Sequence, residues 1–242
     1  MNIILRSHID AGYCLVYLDD IIIKSGNHAD HAKHIDAVLT SLHKHNLFCQ
    51  LPKCHWAEKE LKYLGHLIDG RGVRPDPAKV ATLDRWQPPL KDIEALTNSE
   101  ITPKQRRQHL DNIASECRRF LGFMNYFNRF IPRYSELCFS LTNQTHLDPP
   151  KWTDECTRAW NQLKALLSKA TLMYHPDFTK PFHVYCDASI RAIGGVLIQN
   201  HEGVDQPVAY IARKLTSAEV NYTTTEQEML AMVYCFTQWR CY

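Results

Sequence analysis

Apolar and polar positions in the N-terminal part of the chain fall into short, regular blocks. Residues 13–24 read YCLVYLDDIIIK: two β-prone apolar runs flank a single Asp-Asp pair, which predicts two strands joined by a tight acidic turn. Ile35, Val38, Leu39 and Leu42 recur at i, i+3, i+4 and i+7, so the stretch from Asn27 to His45 is read as a helix with those four on one face. Residues 61–69 (LKYLGHLID) read as a short strand pair broken at Gly65, and the following GRGVRPDP as a cluster of turns. A short helix is predicted from Asp76, with Pro77 in its first turn, where a missing N–H costs nothing.

The pattern then lapses. Residues 87 to about 112 are polar, open with two prolines and contain a third, so they read as a linker or insertion rather than core. Helical periodicity returns from Ser115 to Ile131. A Pro-rich approach, LDPPKW, leads to a helix from Thr153 to about Ser168, with Cys156, Trp160, Leu163 and Leu167 as its apolar stripe. Beyond it the period changes to two. Phe182, Val184 and Cys186 alternate along a strand that Asp187 closes, Ile193–Gln199 reads as a second strand with two glycines at its start, and PVAYIA as a third. A last helix is predicted from about Thr225, with Met229, Met232, Val233 and Phe236 on one face. No internal repeat or low-complexity tract interrupts this order.

Composition changes the picture only by exclusion. Apolar residues make up 45% and charged residues 22% of 242, the balance of a globular chain. The net charge of +2 sets up no strong overall field, so nucleic-acid contact must come from local clusters. Nine cysteines, none in a C-x-x-C pair, point to free thiols in a reducing compartment. The N-terminus lacks the apolar length and cleavage signature of a signal peptide, and no apolar run approaches the ~20 residues of a membrane span. The expectation is a soluble intracellular protein with no membrane partner.

Asp19 and Asp20 carry the first chemistry. Two carboxylates on a hairpin tip, fixed by strand pairing, suit a hard divalent ion, although Asp-Asp is also ordinary turn chemistry. Several ordered motifs decide between these readings. Tyr17-Leu18-Asp19-Asp20 resembles the signature of reverse transcriptases. It is followed by His31, a helix, Lys53-Cys54 and Tyr63-Leu64-Gly65-His66, an order resembling gypsy-type long-terminal-repeat retrotransposon polyproteins. Phe120-Leu121-Gly122, Asn125-Tyr126, Arg129-Phe130-Ile131-Pro132 and Cys186-Asp187-Ala188-Ser189 extend the resemblance over nearly the whole chain, apart from the polar stretch after Pro89.

The resemblance implies RNA-directed DNA polymerase and RNase H activities. Asp19 and Asp20 become the metal-facing pair of the palm, binding Mg²⁺ with Mn²⁺ as the alternative, and Tyr63, Gly65 and His66 belong to the hairpin that grips the primer strand. On an ideal helix, Phe120, Phe123, Met124, Phe127 and Phe130 cluster on one side and Arg118, Asn125 and Arg129 on the other. This is either a solvated basic face or, as in the resembled thumb, a surface for phosphate and sugar. In the C-terminal part, Asp187 and Glu228 are the implied metal-binding carboxylates of an RNase H site. The segment Glu228-Met229-Leu230-Ala231 favours Glu228, with Glu226 as the alternate.

The implied fold class is α+β: a palm remnant with the YLDD hairpin over 1–75, a thumb-like helical region over 76–147 with a polar insertion near 90–112, and a partial RNase H-like α/β domain over 148–242. The implied partners are an RNA template with a DNA primer, an RNA–DNA hybrid and the remainder of the polyprotein, in the cytoplasm, a retrotransposon particle or the nucleus. The polymerase Asp of an earlier strand has no counterpart before Asp19, since the surroundings of Asp10 do not match it, and no acidic residue follows Glu228. The chain is therefore read as a fragment, catalytically incomplete by itself, with a non-catalytic nucleic-acid-binding relic as the alternative. A zinc site from His28, His31, His34, Cys49, Cys54 and His55 lacks a recognised ligand spacing.

Overall fold

The structure, a computed structural model, describes residues 1–98, 100–145, 151–170 and 172–242. Most of the LDPPKW approach, and with it the expected boundary at 147/148, lies outside the described residues. The chain divides into two compact units, Met1–Lys59 and Glu60–Tyr242. No helix among the described residues is long and apolar enough to cross a membrane.

In the first unit, helix α1 (Arg6–Asp10) precedes the antiparallel hairpin of β1 (Cys14–Tyr17) and β2 (Asp20–Ile23), and helix α2 (His28–Lys44) packs behind it. Asn27 caps α2 by accepting from Asp30 N at 2.8 Å, the start that the sequence predicted. Leu5, Cys14, Val38 and Leu42 form the buried centre, with Ile21 and Ile23 against it. Leu39, predicted to face the core, is instead exposed. The reason is size: a two-stranded hairpin is too narrow to cover a wide helix face.

The second unit begins with a four-stranded antiparallel sheet, β3 (Glu60–Tyr63), β4 (His66–Asp69), β5 (Gly72–Pro75) and β6 (Met173–Tyr174), in that order. The strand pair about Gly65 is as predicted, but the GRGVRPDP run is only half turn, because Gly72–Pro75 is a strand. Asp69 makes the connection by accepting the backbone N–H of Arg71 at 2.8 Å and of Gly72 at 3.0 Å. Gly72 marks a close approach rather than a turn: a Cβ there would lie 2.0 Å from the Met173 carbonyl oxygen. Asp76 caps the short helix α3 (Pro77–Val80), again as predicted.

The polar stretch from 87 to 112 is not a linker. It contains helix α4 (Leu90–Ala95) and the first part of the 24-residue helix α5 (Pro103–Tyr126). Thr102 and Gln105 cap α5 reciprocally, and Pro103 fills its first position. His109 and Asn112 of α5 both bond Asp92 of α4, at 2.8 and 2.9 Å. Short helices α6 (Tyr134–Leu137) and α7 (Phe139–Gln144) follow, and then α8 (Asp154–Ser168), whose Cys156, Trp160, Leu163 and Leu167 are all buried as the spacing required. Phe120 of α5 stacks on Trp160 of α8, ring centroids 3.7 Å apart, at the centre of the main core.

A second sheet orders β7 (His183–Ala188), β8 (Ala192–His201) and β9 (Val204–Lys214) as an antiparallel meander, with α9 (Thr224–Gln238) lying on β7 and β8. Phe182, Val184 and Cys186 point to one face, as predicted. The face assignment of α9 is corrected. Met229, Met232, Val233 and Phe236 are exposed, and Gln227, Ala231 and Cys235 are buried. Packing distance decides this: Gly195 has no Cβ, and small side chains let the helix come close enough to occupy the space.

Candidate functional site

Asp19 and Asp20 stand at the tip of the β1–β2 hairpin. The register pairs Tyr17 with Asp20, so Leu18 and Asp19 alone make the turn. Leu18 takes φ of 53°, the left-handed region that two-residue hairpin turns demand and that a bulky side chain rarely adopts. Both carboxylates are exposed, and neither makes a hydrogen bond or ion pair among the described residues. The base of the hairpin is held by polar contacts as well as core. His8 bonds Ser41 Oγ at 2.7 Å and also Tyr13, and the Tyr13 ring stacks on His34 with centroids 3.9 Å apart. Ser25 Oγ meets Nδ1 of both His31 (3.1 Å) and His34 (2.8 Å). These two histidines, weighed as zinc ligands from the sequence, direct one ring nitrogen each to Ser25. The donor set at the tip, two hard carboxylates, fits Mg²⁺ better than a soft ion. Among the described residues no three His, Cys, Asp or Glu side chains converge as a metal site.

In the second unit, Tyr63, Gly65 and His66 lie at the β3–β4 turn, where Leu64 and Gly65 take φ of 47° and 71°. The His66 ring is half-buried against Tyr126, Phe127 and Phe130, with centroids 5.2 to 5.5 Å away. Its Nδ1 meets the Leu64 carbonyl oxygen at 2.8 Å. Burial holds its pKa below the usual histidine value; the Leu64 hydrogen bond opposes this and the nearby Arg129 charge adds to it. Tyr126 donates its hydroxyl to the same Leu64 carbonyl and so ties the end of α5 to the turn. Tyr126 was given no role from the sequence, although its signal, an aromatic beside Asn125 on the polar side of the helix, was visible.

Arg118 and Asn125 are exposed on α5, opposite buried Phe120, Met124 and Phe127. The ideal helix drawn through Arg129 does not hold. The helix ends at Tyr126, and Arg129 sits in a separate 3-10 turn, Asn128–Phe130. Pro132 then stops the turn, since it holds Ile131 in extended backbone (φ −117°, ψ 111°). Asn125 Oδ1 accepts from Asn128 at 3.3 Å and bridges the break.

Asp187 pairs with Gly194 and does not close its strand, which runs on to Ala188. Strand alternation turns it to the face opposite Cys186 and α9, where it lines a cavity of about 180 Å³ with Arg133, Glu136, Gly194 and Ala212. Glu228 sits half-exposed in the first turns of α9, with no hydrogen bond or ion pair among the described residues. Glu226, the alternate, is committed elsewhere: it accepts from Thr223 N (2.8 Å) and Thr223 Oγ1 (2.9 Å), and those bonds hold its pKa below the ordinary carboxylate range.

Residues 1–68 match the family of reverse transcriptases (RNA-dependent DNA polymerase), and residues 152–242 match the RNase H-like domain found in reverse transcriptase. The chain is similar over 98% of its length, at 21% identity, to foamy viral protease-reverse transcriptase in complex with an RNA/DNA hybrid (TM-score 0.72, 29% of that chain). The same enzyme in complex with double-stranded DNA gives a TM-score of 0.71 at the same identity, over 38% of that chain. The fold is thus that of a reverse transcriptase palm and thumb followed by an RNase H-like domain. In sequence the chain is 35% identical over 99% of its length to the retrovirus-related Pol polyprotein from transposon opus of Drosophila melanogaster, covering 23% of it. It is 32% identical over 95% of its length to the transposon Tf2-3 polyprotein of Schizosaccharomyces pombe, covering 16%. The chain belongs to the gypsy-type retrotransposon Pol polyproteins and spans about a fifth of the length of the curated relatives it matches.

Proposed function

We propose that this chain acts in RNA-directed DNA synthesis, with Asp19 and Asp20 as the metal-binding carboxylates of the polymerase centre. One observation carries the reading: within the segment matching reverse transcriptases, Asp19 in the two-residue turn and Asp20 at the start of β2 are both exposed, and their carboxylates are unpaired by other side chains among the described residues. Divalent ions held there would stabilise charge on the attacking and departing oxygens at phosphorus. The part of the protein is to hold the two carboxylates still. Strand pairing on both sides of the turn and the Ser25–His34–Tyr13 contacts behind it do that.

The roles of the other residues follow in the same proposal. Residues 1–75 form the palm part, 76–147 the thumb and 148–242 the RNase H-like part. Arg118, Asn125 and Arg129 contact phosphate and sugar of a template–primer duplex, and Tyr63, Gly65 and His66 lie beside the primer strand. Asp187 and Glu228 are the candidate carboxylates for hydrolysis of an RNA–DNA hybrid. A second reading, duplex binding without catalysis by these residues alone, is favoured by one fact: among the described residues no three His, Cys, Asp or Glu side chains converge as a metal site.

The test is primer extension on an RNA template with Mg²⁺, on protein shown to be folded, beside an Asp19→Asn/Asp20→Asn variant. Incorporation that the variant loses supports the polymerase assignment. Incorporation equal in both proteins rejects these carboxylates. No incorporation by either, with retained salt-sensitive binding to the duplex, supports the second reading.

A further inference from the structure

The loop that leaves α2 places two thiols side by side at the surface of the first unit. Asn46, at φ of 55°, ends the helix, and the chain then folds into a 3-10 turn at Leu51–Lys53. Lys53 N donates to the Gln50 carbonyl at 2.8 Å and Cys54 N to the Leu51 carbonyl at 3.0 Å. The Cys54 thiol donates to the same Gln50 carbonyl at 3.4 Å. Those three bonds turn Cys54 back toward Cys49. The thiols become neighbours, and Cys54 adds to the partial burial that raises the Cys49 pKa.

Access distinguishes this pair from the buried cysteines. Cys49 is exposed and Cys54 half-exposed, and both are free. Cys186 and Cys235 are also neighbours, but Cys235 has no exposure, and burial pushes its thiol up to about 12. A thiolate is the attacking species in exchange, so Cys235 is shut to reagents that reach the loop.

We propose that Cys49 and Cys54 are a redox-modification site, a dithiol that small-molecule disulfides convert reversibly to an intrachain disulfide. One thiolate attacks a sulfur of the reagent, forming a mixed disulfide and expelling one reagent thiol, which takes up the released proton. The second cysteine attacks the protein-side sulfur, closing the Cys49–Cys54 bond and expelling the other reagent thiol. Two protein thiols are oxidised and one reagent disulfide is reduced to two thiols. An external dithiol reverses both steps. Closure fixes the loop that carries exposed Phe48 and Leu51.

The experiment equilibrates the folded chain with graded ratios of oxidised to reduced glutathione, blocks remaining thiols and digests with trypsin. Cleavage after Lys53 separates the two cysteines, so the disulfide appears as two peptides held together until reduction. The expected result is that linkage between Cys49 and Cys54, present before any Cys186–Cys235 linkage and reversed by dithiothreitol. Cys54→Ser should instead accumulate the mixed glutathione disulfide at Cys49, at least ten-fold above the unsubstituted chain. The variant replaces a half-exposed cysteine, and circular dichroism confirms that it folds. Stable mixed disulfides on Cys49 or Cys54 of the unsubstituted chain without closure, or linkage of either to another cysteine first, would overturn the proposal.

Discussion

Gly195→Ala tests whether α9 is seated on the sheet through one contact. A Cβ at this position would lie 2.6 Å from Cys235 Sγ and 2.7 Å from the Tyr185 carbonyl oxygen. Carbon and its neighbours settle at roughly 3.5–4.0 Å, so the added methyl overlaps both by about 1 Å. The carbonyl belongs to the paired strand and cannot rotate away; Cys235 is fully buried and can move only with its helix. Overpacking of this kind costs about 1–3 kcal/mol, and two obstacles place it in the upper half of that range. Cys235→Ala alone removes one buried heavy atom, at a cost of roughly 1 kcal/mol. The double variant keeps the clash with Tyr185 but loses the one with sulfur. It should therefore be less destabilised than the sum of the singles, by about 1 kcal/mol, well beyond the ~0.5 kcal/mol within which independent sites add. Urea unfolding followed by far-UV circular dichroism measures all four proteins. Each kcal/mol should also lower the melting temperature by about 2–4 °C in a chain of this size. Additive losses would refute the reasoning and mean that α9 gains its position elsewhere.

Other consequences are as specific. Tyr126→Phe removes the hydroxyl bound to the Leu64 carbonyl and should cost about 0.5–1.5 kcal/mol, read by denaturant unfolding, while leaving the ring contacts with His66. Arg129→Ala should raise the His66 pKa, measured by proton NMR, because it removes a positive neighbour; an unchanged value would deny that coupling. Since the fold favours neutral His66, its contribution to stability is present above the ordinary value of about 6.5 and is lost as pH falls through the lower folded value. Glu219 works in the acid range. Its bonds to Arg213 at 2.7 and 2.9 Å, then to Thr216, lower its pKa to about 2, so this tie of the β9–α9 loop persists above an ordinary ~4.3 and is lost on acidification toward 2. Amide exchange of that loop should show the transition in the parent protein and not in Glu219→Gln. On the duplex-binding proposal, Arg118→Ala should weaken binding and reduce the salt slope by about one, measured by titration at several salt concentrations.

The elements legible in the sequence are those whose burial is one-sided and whose ends are chemically marked. Helix α8 shows this, with four apolar residues at helical spacing all buried. So do α2 and α3, each begun by a side chain that accepts a backbone N–H. Helix α5 was half read because its first turns are polar all round and pack only through Asp92, His109 and Asn112. Periodicity is silent there, although the Thr102–Gln105 cap was present as a signal. Gly72 was misread for a different reason. A glycine is the same letter whether it supplies a positive φ or makes room, and only the partner strand at Met173 shows that it makes room.

The same distinction governs the site. The exposure of Asp19 and Asp20 was legible because it is local: Asp19 sits in a two-residue turn and Asp20 begins the strand that leaves it, and the sequence contains both strands. Asp187 and Glu228 depend on how a helix sits on a sheet, which one-dimensional patterns do not encode. Helix α9 makes the point, since its most apolar stripe faces away from the sheet and its small residues face in. Hydrophobicity ranks faces by transfer energy, whereas close packing ranks them by shape, and with Gly195 beneath it shape prevails. The sequence favours Glu228 over Glu226 only through its resemblance to a family segment, and side-chain partners add a physical reason to test. The cap at Thr223 takes Glu226 and leaves Glu228 as the carboxylate to vary: Glu228→Gln should leave the helix start intact, and Glu226→Gln should loosen it, by amide exchange at the first turn of α9. If loss of hybrid cleavage, where cleavage is measurable, follows Glu226 rather than Glu228 at unchanged helix protection, the assignment of Glu228 is wrong.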